Sequence, residues 1–511
     1  MTRLFLSALL ALAPPASARV RAVTVGMLAP FSSPAAVPAL SASSISLLPE
    51  GVSWSASTIL VPSLPSWALP SAPAALPLPE TGPASALNGA FDDDRRRNGA
   101  EVVPGDGVFS QLGMKGGKKR ALAPELIKLL KDLVRTASVN GVDSEEGVAA
   151  VIESFAHDYG IRVERFEGSP GRPVLKLGVG PEDVPGLVLV AHTDTVGVGD
   201  ESRWRHPPFA GVVDEGKLYG RGALDNKGGL VAAMGTLLKV REMAPRRSLT
   251  LLAVPDEEAG ATGELGIRLL QKKGKLQGLG AIYAYPGLNH IIIGHRGVWR
   301  FQVGVVGESQ HTGSRHWQRL QAQGANALTA AAEIILAIEG LSKKLADRKG
   351  GGFYSAYSTV LSPVVVQGGQ SYGMSPEHVR LKIDGRLVPD VSVEELRTEL
   401  ETILAGVRRR RPDLAVSWKE DYYIPPSQAD AKSKIVRAVQ NAAARVLGQV
   451  PPLQVSGPAN ESYLLNGFDI PTVIIGPSGE GAHSPNEHVD LDSVETASRI
   501  YVETWKRLGA D

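Results

Sequence analysis

Leu187-Val-Leu-Val-Ala-His-Thr-Asp194 is an unbroken apolar run that ends in a histidine and an aspartate, one residue apart. A run without polar alternation suits a strand covered on both faces, as in a parallel sheet. In open α/β sheets, reactive groups gather beyond the carboxyl ends of the strands. The stretch therefore implies a buried strand that sets His192 and Asp194 at its carboxyl end.

Working outward, residues 248–254 (SLTLLAV), 281–285 (AIYAY) and 471–475 (PTVII) read as further buried strands. Between them lie segments of helical period. Residues 123–138 place Leu126, Leu129, Leu130 and Leu133 on one side, and residues 145–159 and 232–243 read as two more helices. Strands alternating with helices predict an α/β domain with a mainly parallel central sheet flanked by helices. The middle of the chain differs. A strand within 299–313, a long helix at 324–341, an alternating strand at 378–389 and a helix at 392–407 follow a β-α-β-β-α-like order. That order predicts a separate, inserted α+β layer of the ferredoxin-like kind. It spans 296–422, with the α/β parts at 120–295 and 423–511 on either side.

Composition narrows the functions. The chain has 511 residues, 43% of them apolar, and a formal net charge of +1, so nothing points to nucleic acid or an anionic membrane as partner. The basic run Arg408–Arg411 reads as a solvated helix end, where cations favour the macrodipole. There are no cysteines, which excludes disulfides, thiolate metal sites and cysteine nucleophiles. Residues 1–18 have an early Arg3, an apolar core from Leu4 to Ala13 and Ala16-Ser-Ala18. This matches a secretory signal peptide, too short to span a bilayer, and predicts a secreted or periplasmic protein without a membrane anchor. Residues 19–119 are rich in Pro, Ala and Ser without periodicity, and read as a disordered linker or propeptide.

Four segments deliver metal-capable side chains to strand ends or helix starts. They are His192 with Asp194, Glu257 and Glu258 in PDEEAG, Asp225 in GRGALDNKGG, and His483 in GPSGEGAHSPNE. Singly, a His-x-Asp is usually a hydrogen-bonded pair and a Glu-Glu a solvated loop. Jointly placed on one rim, and without cysteine, imidazole and carboxylate form a ligand set that suits zinc, cobalt or manganese. A carboxylate such as Asp225 can bridge two ions, and two ions about 3.5–4 Å apart activate water for hydrolysis. GRGALD does not read as a dinucleotide loop, because Asp225 stands where the third glycine belongs.

HTDTV, Trp204 with Pro207-Pro208-Phe209, GKLYGRGALDNKGG, PDEEAG, GESQHTG, IDGRLVP and GAHSPNEHV occur in this order. From about residue 121 to the end, the chain resembles the cocatalytic zinc metallopeptidase and aminoacylase family. That family contains acetylornithine deacetylase, succinyl-diaminopimelate desuccinylase, glutamate carboxypeptidase and related dipeptidases. The resemblance implies a catalytic metal-binding domain at 120–295 and 423–511, with 296–422 as a lid and dimerisation domain. It implies one or two Zn2+ per chain, with Co2+ or Mn2+ as alternatives. His192, Asp225, Glu258 and His483 would be metal ligands, with Asp225 bridging. Asp194 would hydrogen-bond the far nitrogen of His192, and Glu257 would be general base and then acid. His311 would stabilise the oxyanion, in many relatives across a dimer interface. Arg386 would clasp a substrate carboxylate, and Asn326 would make a further substrate contact. The peptide bond after Asp225 would be cis.

One departure stands out. Relatives carry a fifth ligand, a carboxylate, where this chain has Tyr285, and no acidic residue lies between Glu264 and Glu308. A neutral phenol is a poor ligand, because metals take the deprotonated form. The expected activity is metal-dependent hydrolysis of an amide bond in a peptide or N-acyl amino acid with a free carboxylate. The alternatives are a biosynthetic deacylase of the acetylornithine or succinyl-diaminopimelate type, or a catalytically impaired peptide-binding relative.

Overall fold

The structure, a computed structural model, describes residues 121–509. The expected signal peptide at 1–18 and the whole Pro/Ala/Ser-rich stretch at 19–119 lie outside the described residues. The largest sheet runs edge to edge through Arg162–Ser169, Arg172–Val179, Leu249–Val254, Leu187–His192, Gly280–Tyr283, Thr472–Ile474, Ile291–His295 and Ser427–Gln428, and Leu453–Ser456 pairs alongside Ile291–His295. Its centre is parallel: Leu187–His192 pairs in parallel with Leu249–Val254 on one side and Gly280–Tyr283 on the other. The fold class read from the sequence is present.

Every residue of Leu187–His192 is buried, and the two faces enter two different cores. Leu187, Leu189 and Ala191 pack with residues of the helices Pro124–Arg135, Glu146–Asp158, Gly229–Arg241, Lys434–Leu447 and Leu491–Leu508. Val188 and Val190 pack with Ile267, Leu270 and Tyr463–Leu465 on the opposite side. Two-sided burial is why this strand needs apolar residues at every position. The edge hairpin Arg162–Ser169 with Arg172–Val179 carries mixed polar residues, which hid it from a search for apolar runs.

A second sheet is antiparallel throughout, in the order Val360–Gly368, His378–Leu387, Gly297–Val306, Ala415–Ile424. Helices Ala327–Ala346 and Val393–Arg410 share its core of Trp299, Phe301, Val303, Leu381 and Ile383. Along His378–Leu387 the alternation is clean: Val379, Leu381 and Ile383 are buried, while His378, Arg380 and Lys382 are exposed. The outer strands Val360–Gly368 and Ala415–Ile424 complete the β-α-β-β-α-β order. Val360–Gly368 is an edge strand with Pro363 at a bulge, where a missing donor is tolerated. The stretch Arg315–Ala346 is apolar and long enough to cross a membrane by composition, but Ala330, Ala331, Ile334 and Ile338 lie in this core. Arg408, Arg410 and Arg411 pair with Glu401 and Glu333 at the end of Val393–Arg410, a helix end laced with ion pairs.

A third, small antiparallel sheet joins Gly479–Glu480, His488–Asp490, Lys217–Tyr219 and Val212–Asp214. It ties the segment that carries His483 to the segment just before Asp225, with His488 opposite Tyr219.

Candidate active site

His192 is the last residue of its strand, fully buried, and its parallel register sets it beside Val254. The chain leaving Val254 is Pro255-Asp-Glu-Glu258, so register alone brings Glu257 and Glu258 next to His192. Asp225 lies in a turn that feeds the helix Gly229–Arg241, and its bond to Asn226 is cis, as the resemblance implies. His483 reaches in from the small sheet at φ 60°.

Four side chains from four segments meet. His192 Nε2 lies 2.9 Å from Asp225 Oδ1. Asp225 Oδ2 lies 3.3 Å from His483 Nε2, which is also 3.1 Å from Glu258 Oε1. Asp225 thus faces one imidazole with each oxygen. Donor atoms of Asp225, Glu258 and His483 lie within 4.8 Å of one another, as do those of His192, Glu257 and Glu258.

The electrostatics describe a cradle for a cation. Hydrogen bonds to the carboxylates of Asp225 and Glu258 push the His483 imidazole up to about 10, against some desolvation. Burial works against a charged His192, yet its contacts with Asp194 and Asp225 hold it well above the ordinary imidazole value. Burial is likewise outweighed at Asp225, which both histidines hold well below the usual carboxylate range. Glu257 goes the other way. Burial, reinforced by the charges of Glu258, Asp225 and Glu461, raises its carboxyl well above normal although His192 opposes the shift. A buried carboxyl of raised basicity is suited to taking up a proton.

Asp194 is close to His192 but does more than orient it. The ring Nδ1 sits 3.0 Å from the Asp194 backbone oxygen and 3.5 Å from its carboxylate. The expected carboxylate–imidazole bond is therefore mainly a backbone contact. The carboxylate is committed elsewhere: it accepts from Asn140 Nδ2 at 2.6 Å and from the amides of Glu257 and Glu258 at 3.3 and 3.1 Å. It holds the loop that carries both glutamates.

Tyr285 stands where the sequence put it. Its ring is 5.8 Å from the His192 ring, and burial with the charges of Asp225, Glu257 and Glu258 holds the phenol well above its ordinary value. It is neutral here. Of the three remaining candidates, Arg386 lies on the second sheet, Asn326 caps its helix Ala327–Ala346, and His311 sits in the loop after Gly297–Val306. Arg386 Nε donates to Asp384 at 2.8 Å, and Asp384 also takes Arg300 Nε at 2.7 Å. Arg300 sits over the ring of Tyr422, whose edge lies against Gly260 of PDEEAG. Asn326 is the N-cap of Ala327–Ala346, with Oδ1 accepting from the amides of Leu328 and Thr329 at 2.9 and 3.1 Å. His311 is exposed, and its Nδ1 accepts from the amide of Gly313. Among the described residues neither Asn326 nor His311 hydrogen-bonds to the four-residue cluster.

Several groups went unread in the sequence. Asn226 accepts from the His192 amide and donates to Ala284 O, tying the Asp225 turn to two strands. Glu461 is fully buried, accepts from Tyr283 Oη at 3.1 Å, and is pushed up to about 8 by burial, with Asp256 and Asp194 adding to the shift. Glu487 and Arg221 form a buried ion pair at 2.5 Å. Both belong to motifs already quoted, but their partners are far away in sequence.

The profile of peptidase family M20/M25/M40 matches residues 188–507. The chain belongs to this family. It is 30% identical over 381 residues to an acetylornithine deacetylase of Aliivibrio fischeri, covering 73% of this chain and 95% of that one. It is 28% identical over 398 residues to a succinyl-diaminopimelate desuccinylase of Alkalilimnicola ehrlichii, covering 75% and 99%. Among solved structures, an M20 family metallo-carboxypeptidase of Sulfolobus solfataricus superposes with a TM-score of 0.61 at 18% identity, covering 76% of this chain and 99% of that one. Human carnosine dipeptidase 1 superposes with a TM-score of 0.57 at 17% identity, covering 75% and 97%. As a member of the M20/M25/M40 family, the chain is a metallohydrolase acting on amide bonds.

Proposed function

We propose that this M20-family hydrolase cleaves the amide bond of a peptide or N-acyl amino acid that bears a free carboxylate, using Zn2+ held by Asp225, Glu258 and His483. The observation that carries the reading is Asp225, whose two oxygens face His192 at 2.9 Å and His483 at 3.3 Å. The donor set fits a divalent ion: two carboxylates and an imidazole converge, and their negative field is strong enough to hold the imidazole charged. When bound, the ion supplies Lewis acidity, which acidifies water and polarises the scissile carbonyl.

The chain's own groups do the rest. Glu257 takes a proton from the attacking water as the water oxygen bonds to the carbonyl carbon. It then delivers that proton to the leaving nitrogen as the C–N bond breaks. Asp194 keeps Glu257 and Glu258 in place through their amides. Arg386 binds the substrate carboxylate, using N–H groups left over from its single bond to Asp384. His311 serves the oxyanion from the partner of a homodimer formed through the segment 296–422, which also acts as a lid over the catalytic parts at 120–295 and 423–511. The first 18 residues direct export to the periplasm or beyond.

A second reading, a biosynthetic deacylase of the acetylornithine or succinyl-diaminopimelate type, draws support from the 30% identity to an acetylornithine deacetylase. A panel of dipeptides and N-acetyl and N-succinyl amino acids, assayed with Zn2+, Co2+ or Mn2+, separates the two. Turnover of dipeptides with retained specificity for a free carboxyl terminus supports the first. Turnover confined to N-acetylornithine or N-succinyl-diaminopimelate supports the second, and metal-independent or absent hydrolysis overturns both.

A further inference from the structure

Glu487 lies four residues beyond His483, is fully buried, and gathers four donors on one carboxylate. One oxygen accepts from Arg221 Nη1 at 2.5 Å and from the amide of Gly222 at 3.1 Å. The other accepts from the amides of Leu224 and Asp225, both at 2.9 Å. Its own backbone oxygen accepts from the amide of Gly220 at 2.9 Å. Arg221 is nearly as buried, donates its other arm to Gly197 O at 3.2 Å, and lies over the Trp204 ring.

The amides of Leu224 and Asp225 open a helical turn, and the first amides of a helix lack acceptors of their own. Glu487 supplies the acceptor. It sits on the same segment as His483, so a single carboxylate joins the backbone of Asp225 to the loop that carries His483. Their own side chains meet at 3.3 Å, and the small sheet pairs His488 with Tyr219.

We propose that Glu487, neutralised by Arg221, is a positioning residue that sets Asp225 in register with His483 so that both can hold one ion. The inference rests on the metal reading given above. Groups behind a ligand commonly change metal affinity or activity about 10–100-fold when altered. Glutamine cannot replace the glutamate, because its NH2 would face donors, and its loss of charge would leave Arg221 buried without a counter-ion.

The test uses the metal-free full-length chain titrated with Co2+, followed by its visible absorption, with thermal unfolding recorded in parallel. Glu487→Gln is expected to bind Co2+ about 10–100-fold more weakly at a temperature where it is fully folded, with kcat reduced and KM little changed. Arg221→Lys keeps the cation but loses the fork, and should weaken binding less; it decides the matter if Glu487→Gln does not fold. Val148→Ala, in the main core, controls for stability alone and should bind Co2+ as the wild type does. Wild-type affinity in both Glu487→Gln and Arg221→Lys overturns the proposal while the metal reading stands. A wild-type chain that takes up no Co2+ overturns the metal reading and this proposal with it.

Discussion

Asp225 has two sides that are built differently. Toward His483 it meets an imidazole and a second carboxylate, Glu258, with all three donor atoms inside 4.8 Å. Toward His192 it meets an imidazole and the phenol of Tyr285, which burial and three nearby carboxylates keep protonated. The first side offers two anionic oxygens and a nitrogen. The second offers one shared oxygen and a nitrogen, although Glu257 and Glu258 stand close to His192. Metal ligands must be deprotonated, so the two sides should bind an ion with unequal strength.

The largest effect tests whether the strong side does the chemistry. Glu257→Gln removes the group proposed as proton carrier without removing a ligand of that side. Turnover should fall by roughly 10²–10⁴-fold, the range for general acid–base groups, while metal content and fold are kept. Near-normal turnover in a metal-loaded Glu257→Gln chain would break the assignment.

A second comparison sets two histidines against each other by pH. Carboxylates hold His483 up to about 10, whereas burial pushes His295 down to about 4. His295 is fully buried and bonds through Nδ1 to Arg296 O. Its folded value lies below the unfolded value of 6.5, so its neutral form costs nothing above that pH. As pH falls from 6.5 through about 4 the unfolded chain takes up a proton that the folded one refuses. Stability should drop by roughly 3 kcal/mol over that window from this group alone. Urea unfolding of metal-free wild type and His295→Gln at pH 7 and pH 4.5 reads it as a difference, because Glu461, pushed up to about 8, gains stability over the same window in both proteins. An equal pH dependence in the two proteins would mean that His295 charges inside the fold.

The weak side can be strengthened directly. Wild-type chain, stripped and titrated with Zn2+, should bind one ion tightly and a second weakly. Tyr285→Glu supplies the missing anionic oxygen and should tighten the second step by about tenfold or more, on the scale seen when a metal's surroundings are altered. Two equally tight ions in the wild type would show that Glu257 or another carboxylate already completes the His192 side.

The same contrast explains what could be read in the sequence. Strands buried on both faces, such as Leu187–His192 and Leu249–Val254, announce themselves as apolar runs, and the residues following them are the site. The substitution at Tyr285 was visible because a phenol differs from a carboxylate at one position. The edge strands Arg162–Ser169, Val360–Gly368 and Ala415–Ile424 bury at most one face and were not named. Glu487 was also missed, since its importance lies in amides more than 260 residues away. Asp194 was placed beside His192 correctly, but its work on the Glu257 loop depends on hydrogen bonds that span 63 and 64 residues. Period and spacing report burial and proximity along the chain. They do not report which buried oxygen accepts from which distant amide.

The smallest expected effect separates the rim of the large sheet from the second sheet. Asn326 was assigned a substrate contact by resemblance, yet its side-chain oxygen already accepts from two amides at the start of Ala327–Ala346. An oxygen so engaged stabilises the helix by satisfying donors that have no intrahelical partner. Asn326→Ala should therefore cost about 1 kcal/mol of stability. Asn326→Asp keeps the acceptor and adds a charge that the helix N-terminus favours, so it should recover that loss. Neither change should move KM if the cap is the whole role. A rise in KM for Asn326→Asp at unchanged stability would return Asn326 to the substrate and make the second sheet part of the site.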